Sequence, residues 1–410
     1  MRIQKRSFFE ILLPLTVLAF MGNSTEFINI THIPNFRWVF LFVLCLFFPL
    51  NKNFLYYIPS LLIAILTIYL GWCILTSIWS EASFLSFFKS VMFMLMIFTM
   101  LSSGSFWILK FGYERCLTWL FPIVIMILIS GTLGGKATDQ VGNVFLYGGL
   151  SGNANSFGFL AAIATSFLIL KCYQANKKTW PFFMWLFFLI MDVHYLMISY
   201  ARSSIAIFLC ILYFFLLSLP IGKKVFITIF LFFIVAMAVL LMPLSFLEQS
   251  ISNHIVKGGS NNNMLSSRTT VWQKSYQNAV KGGVIGVGFA ATVGDKNESY
   301  TVNSSGYGRE KGNSQLAIVE ETGLMGLVLQ CMVLIVFFIY ALPFYHRLKG
   351  SKKVTMGLLL GLIFGLLAES LSEAWWDSLG PEVIIFWTVV GAVFGMIYLE
   401  KKMLLQKHGY

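Results

Sequence analysis

Arg202 is the only charged side chain in the apolar stretch HYLMISYARSSIAIFLCILYFFLLSL, residues 194–219. Even lenient insertion scales charge about 2.5–3.5 kcal/mol for an arginine at the centre of a membrane helix, so Arg202 has to reach a surface. Two readings fit it there. It snorkels to lipid phosphates, or it anchors an anionic ligand, because its planar, paired donors match phosphate. A second cluster lies in AESLSEAWWDSLG, where Glu369, Glu373 and Asp377 recur at i, i+4 and i+8. That spacing predicts three carboxylates on one helix face, which is either a solvated helix end or a source of a general base. Trp375 and Trp376 adjoin it as rings suited to a membrane interface. Asp192 and His194 fall inside an apolar run, where ionisable groups are candidates for function by default; a mutually satisfied structural pair is the alternative.

Apolar segments must position these groups. Of 410 residues, 58% are hydrophobic, 17% aromatic and only 11% charged, against about 25% charged in a soluble domain. The composition therefore specifies a polytopic membrane protein. Apolar runs cover residues 8–22, 36–50, 54–79, 84–103, 117–131, 156–173, 180–200, 203–219, 225–247, 314–342, 354–371 and 382–399, against a need for about 20 residues per span. The expected fold is all-α, a membrane helical bundle of about twelve spans with one large extracytoplasmic loop. The chain divides into spans one to nine (1–247), the loop (248–313), and spans ten to twelve with a C-terminal tail (314–410). The net charge of +12 argues for sidedness rather than nucleic acid. Most basic residues fall in alternate connections, including Lys177, Lys178, Lys223, Lys224, Arg347, Lys349, Lys352 and Lys353. The positive-inside rule then puts both termini in the cytoplasm and Arg202 at the opposite surface. In the loop, Val271, Tyr276 and Val280 recur at helical spacing, predicting an amphipathic helix over the mouth of the bundle. The N-terminus starts like a signal peptide but lacks a small-residue cleavage site, so the run is expected to stay as the first span. The six cysteines include no C-x-x-C pair and suggest neither a disulfide framework nor a metal site.

Four short motifs resemble the bacterial O-antigen ligases and the O-antigen or exopolysaccharide polymerases. LSGNANSFGFLAA resembles a Gly-Asn-x-Asn opening of a span, through Gly152, Asn153, Asn155 and Gly158. SYARSSIAIFL resembles a Ser/Thr-x-Ser-Arg turn, with Arg202 as the arginine and Ala201 at a usual serine. SSRTTVWQKSYQNAVKGGVIGVG is similar to the opening of the family's large loop, matching at Arg268, Trp272, Gly286 and Gly288. GNSQLAIVEETGLMGL resembles His-Asn-x-x-Leu…Glu-x-Gly-x-x-Gly at Asn313, Leu316, Glu321, Gly323 and Gly326, but Gly312 stands where many members, ligases especially, carry histidine. Together the motifs cover roughly residues 140–345.

The resemblance implies transfer of a glycan from undecaprenyl diphosphate to an acceptor hydroxyl at the periplasmic face of the bacterial inner membrane. It implies no cofactor and no metal, and the chain has no Asp-x-Asp pair to hold a metal with a nucleotide-sugar. Arg202, Arg268 and Arg309 become candidate diphosphate ligands, since a leaving diphosphate wants fixed cations; Lys311 closes the loop beside Arg309. Glu321, Glu373 and Asp377 are the candidate catalytic carboxylates, with His254 in a linker and Glu320 beside Glu321. Asn153, Asn155, Asn313 and Trp272 are candidate substrate contacts, and Trp375 and Trp376 are rings that could stack on sugar. The expected partners are the lipid-linked donor, a glycan or lipid A-core acceptor, membrane lipids and a chain-length regulator, with no nucleic acid. The missing histidine favours a polymerase of lipid-linked repeat units over the ligase. A lipid-linked oligosaccharide transporter or flippase is the reading of another class, and neither internal repeats nor paired broken helices support it.

Overall fold

The computed structural model describes residues 2–23, 36–47, 55–134, 140–141, 144–145, 147–151, 153–220, 266–291 and 311–407. The expected span at 225–247 and most of the expected loop, with His254 and Arg309, lie outside them. Among the described residues the architecture is all-helical apart from one antiparallel pair, β1 (Gln140–Val141) with β2 (Val144–Phe145).

Seven helices are long and apolar enough to cross a bilayer, so the chain is a multi-pass membrane protein. They are α3 (Ser60–Thr76, extended by a 3-10 turn Ser77–Trp79), α4 (Ser83–Phe111), α6 (Ala154–Gln174), α7 (Trp180–Ile198), α10 (Ser314–Arg347), α11 (Gly350–Glu369) and α12 (Pro381–Lys407). Shorter apolar helices are α1 (Arg2–Asn23, apolar over Phe8–Met21), α2 (Phe36–Phe47), α5 (Phe121–Leu133) and α8 (Arg202–Ser218). The polar helix α9 (Ser266–Gly282) belongs to the expected loop.

Hydrocarbon supplies no hydrophobic drive between helices, so small residues that permit close approach decide the pairing. In α11, Gly357, Gly361 and Gly365 stand four apart and lie on Ser218, Ile211 and Ile207 of α8. Numbers fall along α8 as they rise along α11, so the two helices are antiparallel. In α12, Gly391 and Gly395 lie on Leu101 and Ser105 of α4, a parallel pairing. A Cβ at Gly391 would strike the Leu101 carbonyl. The core fills with large apolar side chains, among them Tyr69, Phe93, Trp119, Phe157, Phe337 and Phe394.

Candidate functional site

The first group of residues sits where α7 hands over to α8. The turn is tight: Tyr200 has φ 56°, a left-handed conformation that costs a non-glycine residue roughly 1–3 kcal/mol and collects at functional sites. Arg202 is the first residue of α8 and is partly exposed. Ala201 provides no side-chain cap, so the partial positive charge of the first-turn N–H groups lies at the same end of α8 as Arg202. Gly158 of α6 packs directly on this turn, against Ala201, Ser199 and Ser204. Asn153 caps α6, accepting from the N–H groups of Asn155 (2.8 Å) and Ser156 (3.3 Å). Asn153 and Asn155 are both exposed.

The second group joins α9 to α10. Trp272 donates its indole N–H to the Gly312 carbonyl at 2.8 Å. A Cβ at Gly312 would sit 2.7 Å from Val271 Cγ1 and 3.2 Å from Trp272 Cδ1, so α9 occupies the space a histidine there would need. Asn313 caps α10, accepting from the Leu316 N–H at 2.9 Å, and donates to the Leu371 carbonyl at 2.9 Å. The packing face of α9 corrects the sequence reading. Ser275, Asn278, Ala279 and Gly282 are its buried positions, while Tyr276 and Val280 are 62% and 63% exposed. Small residues face α10 because the two backbones approach closely, with Gly282 against the Val319 and Glu320 carbonyls. Tyr276 and Val280 are left to face outward, whereas Val271 packs on Gly312, and α9 runs alongside the first turns of α10.

Beneath this contact, α10 breaks. Gly323 has φ 74° inside the helix, and the glycine-rich segment after α9 takes up the freed groups. Val287 N–H donates to the Glu320 carbonyl and Gly288 N–H to the Glu321 carbonyl, both at 2.9 Å. Leu324 and Met325 donate in turn to Gly283 and Val284, at 3.0 and 3.1 Å. Irregular backbone inside a membrane protein is tolerated where protein satisfies it, and Trp72 and Trp79 complete the task by donating to the Thr322 and Gly286 carbonyls. Lys311 is buried against the break. Its ammonium lies 2.5 Å from Glu321 Oε1, 2.9 Å from the Ala291 carbonyl and 3.9 Å from Glu320 Oε2. The other Glu321 oxygen accepts the Ala290 N–H at 2.6 Å. Lys311 is therefore an internal counter-ion rather than the surface cation that the sequence suggested, and Glu321 is committed on both oxygens.

The carboxylate face expected on α11 is also corrected. The helix ends at Glu369, and residues 370–380 form a series of turns. The start of α10 draws the chain out of the helix: Ser314 N–H donates to the Ser370 carbonyl at 2.9 Å, and the Ser314 hydroxyl donates to the Glu373 carbonyl at 2.8 Å. Glu369 is buried, Glu373 is half-buried, and Asp377 turns inward to accept the Tyr69 hydroxyl of α3 at 2.7 Å. Burial, with Glu321 nearby, pushes the Asp377 carboxyl up to about 8. Trp375 and Trp376 are buried too, with ring centroids 5.3 Å apart and both against Phe386, so neither offers a face to a ligand.

An open cleft of about 630 Å³ lies among the described residues between α9, the start of α10 and Leu371. Trp272 and Asn313 line it. Arg268 falls in the first turn of α9, and its side chain lies outside the described residues. Asp192 is 2% exposed, and neither carboxylate oxygen has a hydrogen-bond partner among the described residues, so the satisfied pair with His194 does not form there. Among the described residues no three His, Cys, Asp or Glu side chains converge as metal ligands. Sequence reasoning missed Tyr69, whose only signal was a hydroxyl inside an apolar run. No protein-family model matches the chain, and no curated protein matches its sequence.

Proposed function

We propose that the chain is a bacterial plasma-membrane glycosyltransferase that polymerises lipid-linked repeat units. It moves the growing glycan from undecaprenyl diphosphate to a sugar hydroxyl of another lipid-linked unit at the extracytoplasmic face. One observation carries this reading: four short motifs spread over residues 152–326 gather at one end of the bundle. Gly158 of the first motif lies on the turn that holds Arg202, in the second. Trp272, Gly286 and Gly288 of the third lie on Gly312 and Glu321, in the fourth. The end of α11 lies on the start of α10, where the Ser314 N–H donates to the Ser370 carbonyl, and α11 runs antiparallel to α8, which begins at Arg202.

The chemistry is displacement at an anomeric carbon. The acceptor hydroxyl forms the new C–O bond, the bond to the diphosphate breaks, and the electron pair leaves with undecaprenyl diphosphate. Arg202, at the positive end of α8, stabilises the charge that develops on the leaving group. Of Glu321, Glu373 and Asp377, Glu373 is the one partly open to solvent, and it takes the hydroxyl proton. Glu321 and Asp377 hold the scaffold around it.

Disruption of the gene tests the reading. Loss of polymer, with single repeats left on the final acceptor, is the expected phenotype; long chains stranded on undecaprenyl diphosphate would mean a ligase instead. Arg202→Ala at normal protein level is expected to reduce chain elongation at least about a hundredfold, the scale seen when one charge-stabilising donor is removed. Full elongation by that variant would overturn the proposal.

A further inference from the structure

The open cleft between α9 and α10 has a lining unlike that of the anion site. Its two aromatic rings are Trp272 and Tyr276, one turn apart on α9. Gln273 and Gln277 stand beside them with the same one-turn spacing, and both are exposed. Asn313, Leu316 and Leu371 form the opposite wall, and among the described residues no charged side chain lines the space. The Trp272 ring is fixed, because its N–H is held by the Gly312 carbonyl at 2.8 Å. What the ring presents to the cleft is therefore carbon surface rather than a donor. Tyr276 is 62% exposed. At about 630 Å³ the cleft falls within the size range of small-molecule sites, about 300–1,000 Å³.

We propose that this cleft binds uncharged sugar rings of the glycan, apart from the diphosphate. A pyranose presents apolar C–H faces and a rim of hydroxyl or acetamido groups. Flat aromatic rings suit the faces, and amide side chains, which both donate and accept, suit the rim. Among the described residues a diphosphate would meet no cation here. A hydrocarbon chain would desolvate the two glutamine amides without replacing their hydrogen bonds, which is unfavourable. The proposal rests on the polymerase reading and adds a division of labour: Arg202 holds the charged end of the donor, and α9 holds neutral sugars.

The test uses the full chain in lipid nanodiscs. The probe is the diphosphate-free oligosaccharide repeat released by mild acid from the host's own surface glycan, and tryptophan fluorescence reports binding. Saturable binding is expected, unchanged by excess inorganic pyrophosphate, weakened about tenfold or more by Tyr276→Ala and by Gln277→Ala, and kept within about threefold by Tyr276→Phe. Absence of saturable binding overturns the assignment, as does equal binding by Tyr276→Ala and Gln277→Ala. Displacement by pyrophosphate, or by undecaprenyl phosphate, overturns it in favour of an anion or a lipid chain. Chain elongation separates the two proposals. If Arg202→Ala abolishes elongation while Tyr276→Ala binds and elongates normally, only the cleft assignment fails. If Arg202→Ala elongates normally, the polymerase reading fails with it.

Discussion

Two lysine–glutamate pairs mark the two ends of the bundle. Lys311 and Glu321 are 2.5 Å apart, with side chains 4% and 4% exposed. Lys352 and Glu400 are 2.7 Å apart, with side chains 35% and 22% exposed. Chemistry and distance nearly match, yet the surroundings reverse their meaning. At the Lys352 end, water shares the load, and Glu400 also accepts the Tyr113 hydroxyl at 2.8 Å, so the pair ties α11, α12 and the end of α4 together at a wet surface. At the Lys311 end, protein replaces water. The same ion pair holds a broken helix, the glycine-rich segment after α9, and the floor beneath the candidate site. Separation alone says little about an ion pair; the medium around it decides what the pair is worth.

Removing one partner from each pair is the most direct way to break this comparison. Lys311→Ala leaves Glu321 buried without its counter-ion and is expected to destabilise by about 3–5 kcal/mol, read as thermal unfolding in detergent. A loss no larger than that of Lys352→Ala would mean that burial does not distinguish the pairs.

A smaller effect sharpens the contrast through pH. Asp377 keeps its proton in the folded state up to about 8, whereas an aspartate in the unfolded chain loses it near about 3.9. Between those values the folded state binds more protons, so this group's contribution makes stability fall as pH rises from about 4 to about 8, and flatten above. Asp377→Asn is expected to remove that slope, as measured by melting temperature across the range. An unchanged slope would place the titrating group elsewhere.

The smallest effect is at the wet end. Lys352→Ala is expected to cost no more than about 1 kcal/mol, and the loss should shrink in high salt, where exposed charges are screened. A salt-independent loss of several kcal/mol would show that this pair too is shielded from solvent.

Much of the helical framework was legible in the sequence, because apolar runs are local. The run at 156–173 became α6, 180–200 became α7, and 354–371 became α11, each within a few residues. The site was legible only in part. The turn at Arg202 lies between two apolar helices as the sequence suggested, whereas the contact between Trp272 and Gly312 had no signal in local spacing. The carboxylate face at Glu369, Glu373 and Asp377 does not exist, because Ser314 draws the carbonyls of Ser370 and Glu373 away from helical partners. Helical periodicity cannot register a competitor that arrives from another segment. On α9 the apolar spacing marked the packing face only at Val271, because close approach of the two backbones reserves the rest of that face for small residues such as Ser275, Ala279 and Gly282.

The sequence by itself determined that the chain crosses a membrane many times, since each helix satisfies its own backbone and shows its character in consecutive residues. Only the tertiary structure decided which charged groups are internal. Lys311 reads as a surface cation until the Ala291 carbonyl and Glu321 take its ammonium, and Asp377 reads as a solvated carboxylate until Tyr69, 308 residues away, donates to it. The protonation state and accessibility of a group follow from what surrounds it in space, and neighbours so distant along the chain leave no trace in local spacing.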